Sequence, residues 1–252
     1  MTNYNSLYQE YRNYLVSKNH RIDEFTEFKF ESIYDGFSKN SMNSILNWYE
    51  KHVANSTMEI KKIPLKECIG WYNNGNDITH ESGEFFKIEA YDVKGTSTRE
   101  VASGWQQPFI TQVGYDGGIL GLIRKRINDV PHYLVEAKEE PGNYNIVQIS
   151  TTLQATYSNL KRAHKGSQTR YIEFFNGTSK HESKEIFKQY MSEDGGRLMN
   201  KRNYSILVEL ESNINLKEND RYIWVTLKQI KDLIIKNNAI VAPHLRGILS
   251  AL

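Results

Sequence analysis

The sequence predicts an α/β (α+β) protein in which a mixed β-sheet is flanked by helices and preceded by an N-terminal helical arm. Apolar residues recur at intervals of three and four over roughly the first sixty residues, as they do on one face of a helix. From Trp71 onward, short aromatic and β-branched runs are separated by glycine and other turn residues, which is typical of strands. Strands and helices do not alternate in a βαβ rhythm, so a mixed sheet is favoured over a doubly wound parallel one.

The helical arm is predicted over residues 1–60 and the main module over residues 61–252. The apolar positions of the arm form two helical groups, namely Tyr4, Leu7, Tyr8, Tyr11, Tyr14 and Leu15, then Met42, Ile45, Leu46, Tyr49 and Val53. Because such stripes usually face a core or an interface, we expect a structural role for the tyrosines.

The main module begins with four predicted strands, at residues 84–93, 100–110, 118–127 and 131–138. The third and fourth are joined by "NDV", which predicts a hairpin.

The later part of the module contains predicted helices and strands in no regular order. Residues 183–191 predict a helix and residues 204–210 a strand. Thr226 is a candidate N-cap for an amphipathic helix, and Pro243 stands where a proline at the first helical position would open a last helix. Trp224, like Trp48 in the arm, lies within a patterned element and is expected in the core.

Composition excludes several classes of protein. A net charge of +2, with no basic block longer than residues 123–127, does not indicate a nucleic-acid partner. Cys68 is the single cysteine, which excludes a disulfide framework within the chain. The first residues lack an apolar signal segment, and no run approaches the roughly eighteen apolar residues of a membrane span. We therefore expect a cytoplasmic protein with neither a membrane nor a nucleic-acid partner.

A run of amides and hydroxyls follows the fourth strand, comprising Gln148, Ser150, Thr151, Thr152, Gln154, Thr156, Ser158 and Asn159. Amides and hydroxyls both donate and accept hydrogen bonds, which makes them the side chains that bind an uncharged polyhydroxylated ligand. The run therefore predicts one wall of a sugar-binding pocket. The alternative is a polar loop that caps a helix near residue 158.

Paired acids and a lysine stand just before this run. Their spacing nearly fits the magnesium-binding signature of Nudix hydrolases, in that Gly121, Glu136, Glu139, Glu140 and Gly142 fall in place. Ile127 and Val135 do not, because the signature requires Glu and Arg there. Residues 132–138 also alternate as a strand rather than a helix, with Glu136 and Lys138 on one face. A metal-dependent hydrolase is therefore the minority alternative.

Several longer stretches give the chain a specific resemblance: "GWYNNGNDITHESGEFFKIEAYDV", "REVASGWQQPFI", "GGILGLIRKRINDVPHYLVEAKEEPGNYNIVQISTTLQATYSN", "YMSEDGGRLMNKRNYSILVEL", "YIWVTLKQIKDLI" and "APHLRGILSAL". With these residues the chain resembles the nucleotide-diphosphate-hexose (NDP-hexose) 2,3-dehydratases, which act in deoxysugar biosynthesis. The most specific part runs from Ala137-Lys138 to Ser158-Asn159.

The resemblance implies a Nudix-like fold without the hydrolase's metal site, no cofactor, a thymidine-diphosphate 4-keto-6-deoxyhexose as substrate and a homodimer. It also implies a downstream 3-ketoreductase that consumes the diketo product. Members of the family generally carry two such modules in one chain, whereas this chain has the length for one. This difference leaves two alternatives open. Two copies of the chain in a dimer could restore the two-module arrangement, or a single module could bind a nucleotide sugar and use it in another way.

The expected reaction needs a base, an acid and donors for an enolate oxygen. Glu136, Lys138 and Glu140 are the candidate catalytic cluster, in which Lys138 could stabilise the enolate or act as the base. A solvated edge strand is the structural alternative for these residues. His80 is a further acid or base candidate, although a lone loop histidine is more often structural.

Candidate substrate-binding residues fall into three groups. Trp71 and Trp105 could stack a thymine or bound the sugar, and Arg197, Lys201, Arg202 and Asn203 follow a glycine pair that suits a diphosphate. The amides complete the set: Gln107, Gln148, Gln154 and Asn159. The sequence thus predicts a lyase, with a diphosphate hydrolase or a non-catalytic nucleotide-sugar-binding module as alternatives.

Overall fold

The computed structural model describes residues 3–95, 97–98, 100–112, 117–156, 169–181, 183–236 and 238–252. Within these ranges the chain forms five α-helices and two sheets, each with antiparallel and parallel pairings. The predicted mixed α/β class is therefore confirmed, while the closer likeness to a Nudix fold stays a prediction.

The helices are α1 (Tyr4–Ser17), α2 (Thr26–Glu31), α3 (Met42–Ala54), α4 (Leu227–Lys236) and α5 (Pro243–Leu249). Short 3₁₀ helices span Leu65–Glu67, Ile172–Phe174 and Asn238–Ile240. Thr226 caps α4 as predicted, since its hydroxyl accepts the Gln229 N–H at 3.2 Å, and Pro243 opens α5. No helix in the described ranges is both long and apolar enough to cross a membrane.

Helix α3 packs directly on the larger sheet. Ile45 and Tyr49 are buried in the main core, and the Tyr49 hydroxyl donates to the Val147 carbonyl at 3.2 Å. Helix α2 contributes Phe28 to the same core, and its Glu31 also accepts a hydrogen bond from the buried Arg124 at 2.7 Å. The helical arm predicted from the sequence is thus helical, and both of these helices contact the sheet.

The smaller sheet has the strand order β1-β2-β3-β4-β10. Its strands are β1 (Trp71–Asn73), β2 (Asp77–His80), β3 (Phe86–Val93), β4 (Trp105–Gln112) and β10 (Leu198–Met199). Strand β10 is the parallel member, so this sheet receives its last strand from a distant part of the chain.

The larger sheet has the order β12-β6-β5-β11-β9, with β7 and β8 paired to β6 and β5. Its strands are β5 (Ile119–Ile127), β6 (Val130–Glu139), β7 (Val147–Ser150), β8 (Leu153–Ala155), β9 (Ser183–Ser192), β11 (Arg202–Leu210) and β12 (Tyr222–Val225). The hairpin predicted between β5 and β6 is confirmed. Its turn residues Asn128 and Asp129 both have left-handed backbones, which favours the right-handed twist of a tight hairpin.

Strands β5 and β6 separate beyond the hairpin, and the polar segment fills the fork between them. The last paired residues are Ile123 and Leu134, after which β5 pairs with β8 and β6 with β7. Thr152 closes the fork, because its hydroxyl accepts the Ile123 N–H at 2.9 Å and donates to the Leu134 carbonyl. The connection from β7 to β8 is thereby held inside the sheet.

The helix predicted over residues 183–191 is wrong, because this segment is strand β9. It pairs antiparallel with β11 along its whole length, with a bulge at Leu207 and Val208. Tyr190 stacks on Tyr204 of β11 at a centroid distance of 3.8 Å. Cross-strand pairing therefore overrides a local pattern that also fits a helix.

The two faces of β6 lie in separate cores. Tyr133, Val135 and Ala137 pack with helices α3, α4 and α5, while Leu134 packs with Trp224 on the other face. The alternation predicted for residues 132–138 is thus confirmed. Trp224 is buried as expected, and Trp48 packs against the main core.

Candidate functional site

A polar cleft opens where β6 and β7 run side by side. The register places Lys138 opposite Gln148 and Glu136 opposite Ser150, so all four side chains share one face. The cleft measures about 490 Å³ and is lined by Lys138, Glu140, Pro141, Gly142, Asn143, Tyr144, Gln148, Ser150, Gln154, Ala242, Pro243 and His244. The fork therefore brings Lys138, Glu140, Gln148 and Gln154 into one concave site, whereas Glu136 is buried and does not line it.

Hydrogen bonds connect the polar groups of this cleft. The Gln154 amide donates to Glu140 Oε1 at 3.4 Å, and Ser150 donates to Gln154 Oε1 at 3.4 Å. Gln148 is held more firmly, because its amide donates to the Ala239 carbonyl at 2.7 Å. Both contacts are long and therefore weak, so the Gln154 amide can exchange them for hydroxyls of a ligand at small cost.

The residues of the polar run have two different roles in the structure, and the sequence alone did not distinguish them. Thr151 and Thr152 are fully buried and bond to backbone, whereas Gln148 and Gln154 line the cleft together with Ser150, which is itself fully buried. Only part of the polar run therefore lines the cleft. Asn159 and Ser158 lie outside the described residues.

Glu136 lies in the interior of the sheet, with 7% of its surface exposed. Burial raises the pKa of its carboxyl, the nearby charges of Lys138 and Arg221 oppose that shift, and Glu140 adds to it. Lys138 lies on the same face of β6 two residues farther along, and it lines the cleft with Glu140. Strand β6 pairs with both β12 and β7 at Glu136, so the alternative of a solvated edge strand is wrong for that residue, whereas Lys138 and Glu139 pair with β7 and are half-buried.

His244 enters the cleft from the start of helix α5. Its Nδ1 lies 3.9 Å from Glu193 Oε1, and Glu193 directly follows strand β9. Neither residue was singled out from the sequence. The available signal was the position of His244 after Pro243, a proline that fixes where the helix starts and hence where the imidazole lies.

A second cleft of about 950 Å³ lies between the two sheets. It is lined by Tyr91, Phe109, Thr111, Gln112, Gly117, Tyr190, Ser192, Glu193, Gly195, Leu198, Met199, Asn200, Lys201 and Arg202. Burial lowers the pKa of the Lys201 ammonium, and the Arg202 guanidinium lies 5.0 Å from the centre of the Tyr190 ring. Two of the predicted diphosphate-binding residues thus line this cleft.

Glu193 and Asn203 form the wall between the two clefts. Asn203 accepts the Gly118 N–H at 2.9 Å and donates its amide to Glu193 Oε1, the oxygen nearest His244. Asn203 is buried, so its side chain supports this wall rather than the floor of the second cleft.

Arg197 lies at an exposed turn beside the second cleft and pairs with Asp194 at 2.9 Å. The turn is tied to β4, because Gln107 donates to the Gly196 carbonyl at 2.8 Å. Trp105 in turn donates to Gln107 Oε1 at 2.6 Å. These predicted binding residues therefore meet one another at the rim of the second cleft.

Trp71 and His80 lie in the smaller sheet, away from the strand that carries Lys138. Their rings are 5.5 Å apart, and His80 also packs edge-on against Phe85 at 4.6 Å. The Nδ1 atom of His80 is 2.8 Å from the Ser82 hydroxyl. The structure thus gives His80 a local aromatic and turn environment and does not place it in the Lys138 cleft.

A profile of the NDP-hexose 2,3-dehydratases matches residues 42–252, a range that includes both clefts. The chain belongs to the NDP-hexose 2,3-dehydratase family. The match begins at the first residue of α3, the helix that packs on the larger sheet.

Three curated relatives are named dTDP-4-dehydro-6-deoxy-α-D-glucopyranose 2,3-dehydratase. The protein from Streptomyces violaceoruber is 35% identical over 77% of this chain and 42% of its own length. Those from Saccharopolyspora spinosa and Amycolatopsis orientalis are 32% and 33% identical, each over 81% of this chain and over 41% and 43% of their own lengths. This member of the NDP-hexose 2,3-dehydratase family therefore spans about two fifths of the relatives it matches.

The partial Nudix signature has a different arrangement in this dehydratase-family chain. Glu136 and Glu139 belong to opposite faces of β6, and Glu139 pairs with Arg221 at 3.6 Å. In the described part of the chain, no three His, Cys, Asp or Glu side chains are close enough together to hold a metal ion.

Proposed function

We propose that this chain is a lyase that eliminates water across C2 and C3 of a thymidine-diphosphate 4-keto-6-deoxyhexose. The observation that carries the proposal is the pairing of the two clefts. One presents Lys138, Glu140 and neutral amides to a sugar, and the other presents Lys201 and Arg202 to a diphosphate. The family membership and the names of the relatives support the same reaction.

The chemistry follows from the carbonyl at C4 of the sugar. This carbonyl acidifies the proton on C3, so that a base can remove it and leave an enolate whose charge rests on the C4 oxygen. When the enolate collapses, a C2=C3 double bond forms, the C2–O bond breaks and the hydroxyl departs as water. The remaining enol at C3 tautomerises by accepting a proton at C2, which gives a 3,4-diketo-2,6-dideoxy sugar.

Glu140 and Lys138 have complementary roles in this scheme. Glu140 is the proposed base at C3, because its side chain lines the cleft and its carboxylate accepts a long, weak hydrogen bond from Gln154. Lys138 is the proposed donor to the C4 oxygen, since its cation would stabilise the enolate that forms there. Glu136 lies two residues before Lys138 on the same face of β6.

The second cleft is the proposed nucleotide site. Arginine binds two phosphate oxygens at once, and Lys201 supplies a second cation beside it. Trp105, Gln107 and Arg197 hold the rim of this cleft, and Gln148 and Gln154 would bind sugar hydroxyls in the first. Trp71 remains a candidate for a contact with the base.

The proposed elimination needs no redox cofactor, because C2 is reduced and C3 is oxidised to the same extent and the reaction is redox-neutral overall. A homodimer and a 3-ketoreductase that reduces the unstable diketone complete the proposal.

The test is to incubate the protein with thymidine-diphosphate 4-keto-6-deoxyglucose in deuterated water, with and without Mg²⁺, and to follow the sugar by NMR and mass spectrometry. Loss of water with deuterium at C2 and an intact diphosphate is the expected result. A reductase can trap the diketone. Nucleoside monophosphate that appears only with Mg²⁺ would indicate the hydrolase instead, and binding without turnover would indicate a non-catalytic module.

A further inference from the structure

His244 lies in the first cleft opposite Lys138 and Glu140 and has no part in the scheme above. Its side chain is 29% exposed, so the imidazole is accessible from the cleft but fixed by its position on α5. Since Nδ1 is turned toward Glu193, Nε2 is the ring nitrogen that remains for a ligand.

The orientation of His244 depends on a chain of polar groups. The backbone N–H of Gly118 fixes Asn203, the Asn203 amide fixes Glu193, and the Glu193 carboxylate faces the imidazole. Gly118 lies at the start of β5, and a side chain there would collide with the Ala155 carbonyl at 2.5 Å. A carboxylate on one side of an imidazole leaves the other ring nitrogen for proton transfer, an arrangement that also occurs in other acid-base sites.

We infer that His244, held by Glu193, is the acid that protonates the departing C2 hydroxyl. This inference rests on the proposed dehydratase function and assigns the one role that Lys138 and Glu140 leave unfilled. As the C2–O bond breaks, its electron pair stays with the oxygen, which takes the proton from His244 Nε2 and leaves as water. Glu140 has gained the C3 proton and His244 has lost one, and exchange with solvent restores both groups.

His244 lies between the two clefts, and this position suits an acid that acts at C2 of the sugar. In a nucleotide-linked hexose, C2 is the ring carbon next to C1, which bears the diphosphate. A sugar whose diphosphate contacts Lys201 and Arg202 therefore places C2 near the wall that Glu193 and His244 form, with C3 and C4 farther along toward Lys138.

The experiment compares water loss with fluoride loss. A substrate analogue with fluorine in place of the C2 hydroxyl needs the same base at C3 but a much weaker acid, because fluoride leaves as a stable anion. We expect His244→Gln to lower kcat for water loss by about 10²- to 10⁴-fold, the usual contribution of an acid or base. Fluoride release, measured with an ion-selective electrode, should be much less affected.

Glu193→Gln is the second variant, because it keeps an acceptor for Asn203 and removes the charge that faces the imidazole. Glu193→Gln should lower kcat for water loss less than His244→Gln does. It should likewise leave fluoride release much less affected. His20→Gln, at an exposed position outside the clefts, is the matched control and should behave as the wild type. Thymidine diphosphate affinity and thermal unfolding establish that each variant is folded.

Four outcomes are distinguishable. Loss of water elimination with retained fluoride release supports the acid role of His244. Equal loss of both activities in a folded variant, or loss of neither, overturns it and leaves the dehydratase proposal intact. A wild-type protein that releases neither water nor fluoride overturns the proposed function and this inference together.

Discussion

The hydroxyl of Thr152 accepts a hydrogen bond from the backbone N–H of Ile123 at 2.9 Å, at the point where β5 and β6 separate. The same hydroxyl donates to Leu134, so a single side chain satisfies one buried group on each strand. The segment that carries Gln148, Ser150 and Gln154 is thereby held in the fork, and the cleft exists because the two strands are kept apart.

Replacing Thr152 with valine should destabilise the protein. Valine has nearly the same shape but leaves the Ile123 N–H and the Leu134 carbonyl without a partner, at a cost of about 1–3 kcal/mol for each buried polar group. Urea unfolding followed by circular dichroism would measure the loss. Thr57→Val at an exposed position is the control, and equal stability of the two variants would contradict the role of Thr152.

Replacing Lys138 with alanine should abolish most turnover and preserve nucleotide binding. Removal of a donor to a developing oxyanion lowers kcat by about 10²- to 10³-fold. Lys138 lines the first cleft, whereas the proposed diphosphate site is in the second, so thymidine diphosphate affinity by calorimetry should change little. The exposed Lys61→Ala is the control, and unchanged turnover in Lys138→Ala would remove Lys138 from the mechanism.

Arg202→Gln and Lys201→Gln should weaken the affinity for thymidine diphosphate. Hydrogen bonds to a charged group contribute about 1.5–3 kcal/mol, so we expect each change to raise Kd by roughly tenfold or more. Calorimetry at two salt concentrations would also show a weaker salt dependence. Arg21→Gln, at an exposed position in the arm, serves for comparison; wild-type affinity in both variants would place the diphosphate elsewhere.

Glu136 should make stability depend on pH. Its folded-state pKa is raised above the ordinary value of 4.5, so the folded protein binds the proton more tightly than the unfolded chain. The free energy of unfolding therefore falls as pH rises from the ordinary pKa through the raised one. In Glu136→Gln this decline should be absent, and the variant should gain stability relative to the wild type as pH rises. Parallel curves for the two proteins would contradict the prediction.

The sequence predicted correctly those elements whose local residue pattern agrees with the tertiary contacts that they make. The hairpin at Asn128-Asp129 was predicted from its turn residues, and the helix that Pro243 opens from the proline at its first position and from Leu245 and Ile248, which are buried in the core. Strand β9 was missed because its partner, β11, is the reason it is a strand, and that pairing is not visible in a window of ten residues.

Prediction of the candidate site was limited in the same way, because residues from distant segments of the chain could not be grouped from the sequence. Lys138 and Glu140 were predicted together because alternate residues of a strand share one face, and Gln148 and Gln154 because amides suit a sugar; all four line one cleft. His244 and Glu193 come from separate elements and meet only through the fold. Conversely, His80 was grouped with the acids on chemical grounds, yet its strand belongs to the other sheet.

The pairing of β5 with β11 has a consequence for folding. These strands are parallel, and the Asn203 and Gly118 contact beside them spans 85 residues of sequence. Contacts that close so long a loop carry a large entropy cost and form late, whereas the β5–β6 hairpin needs only a two-residue turn. We therefore expect the sugar-facing wall to assemble early, and the wall with Glu193 and Asn203 only when β11 and β9 dock. An intermediate that already holds Thr152 in the fork would thus be compact and still unable to bind a nucleotide sugar.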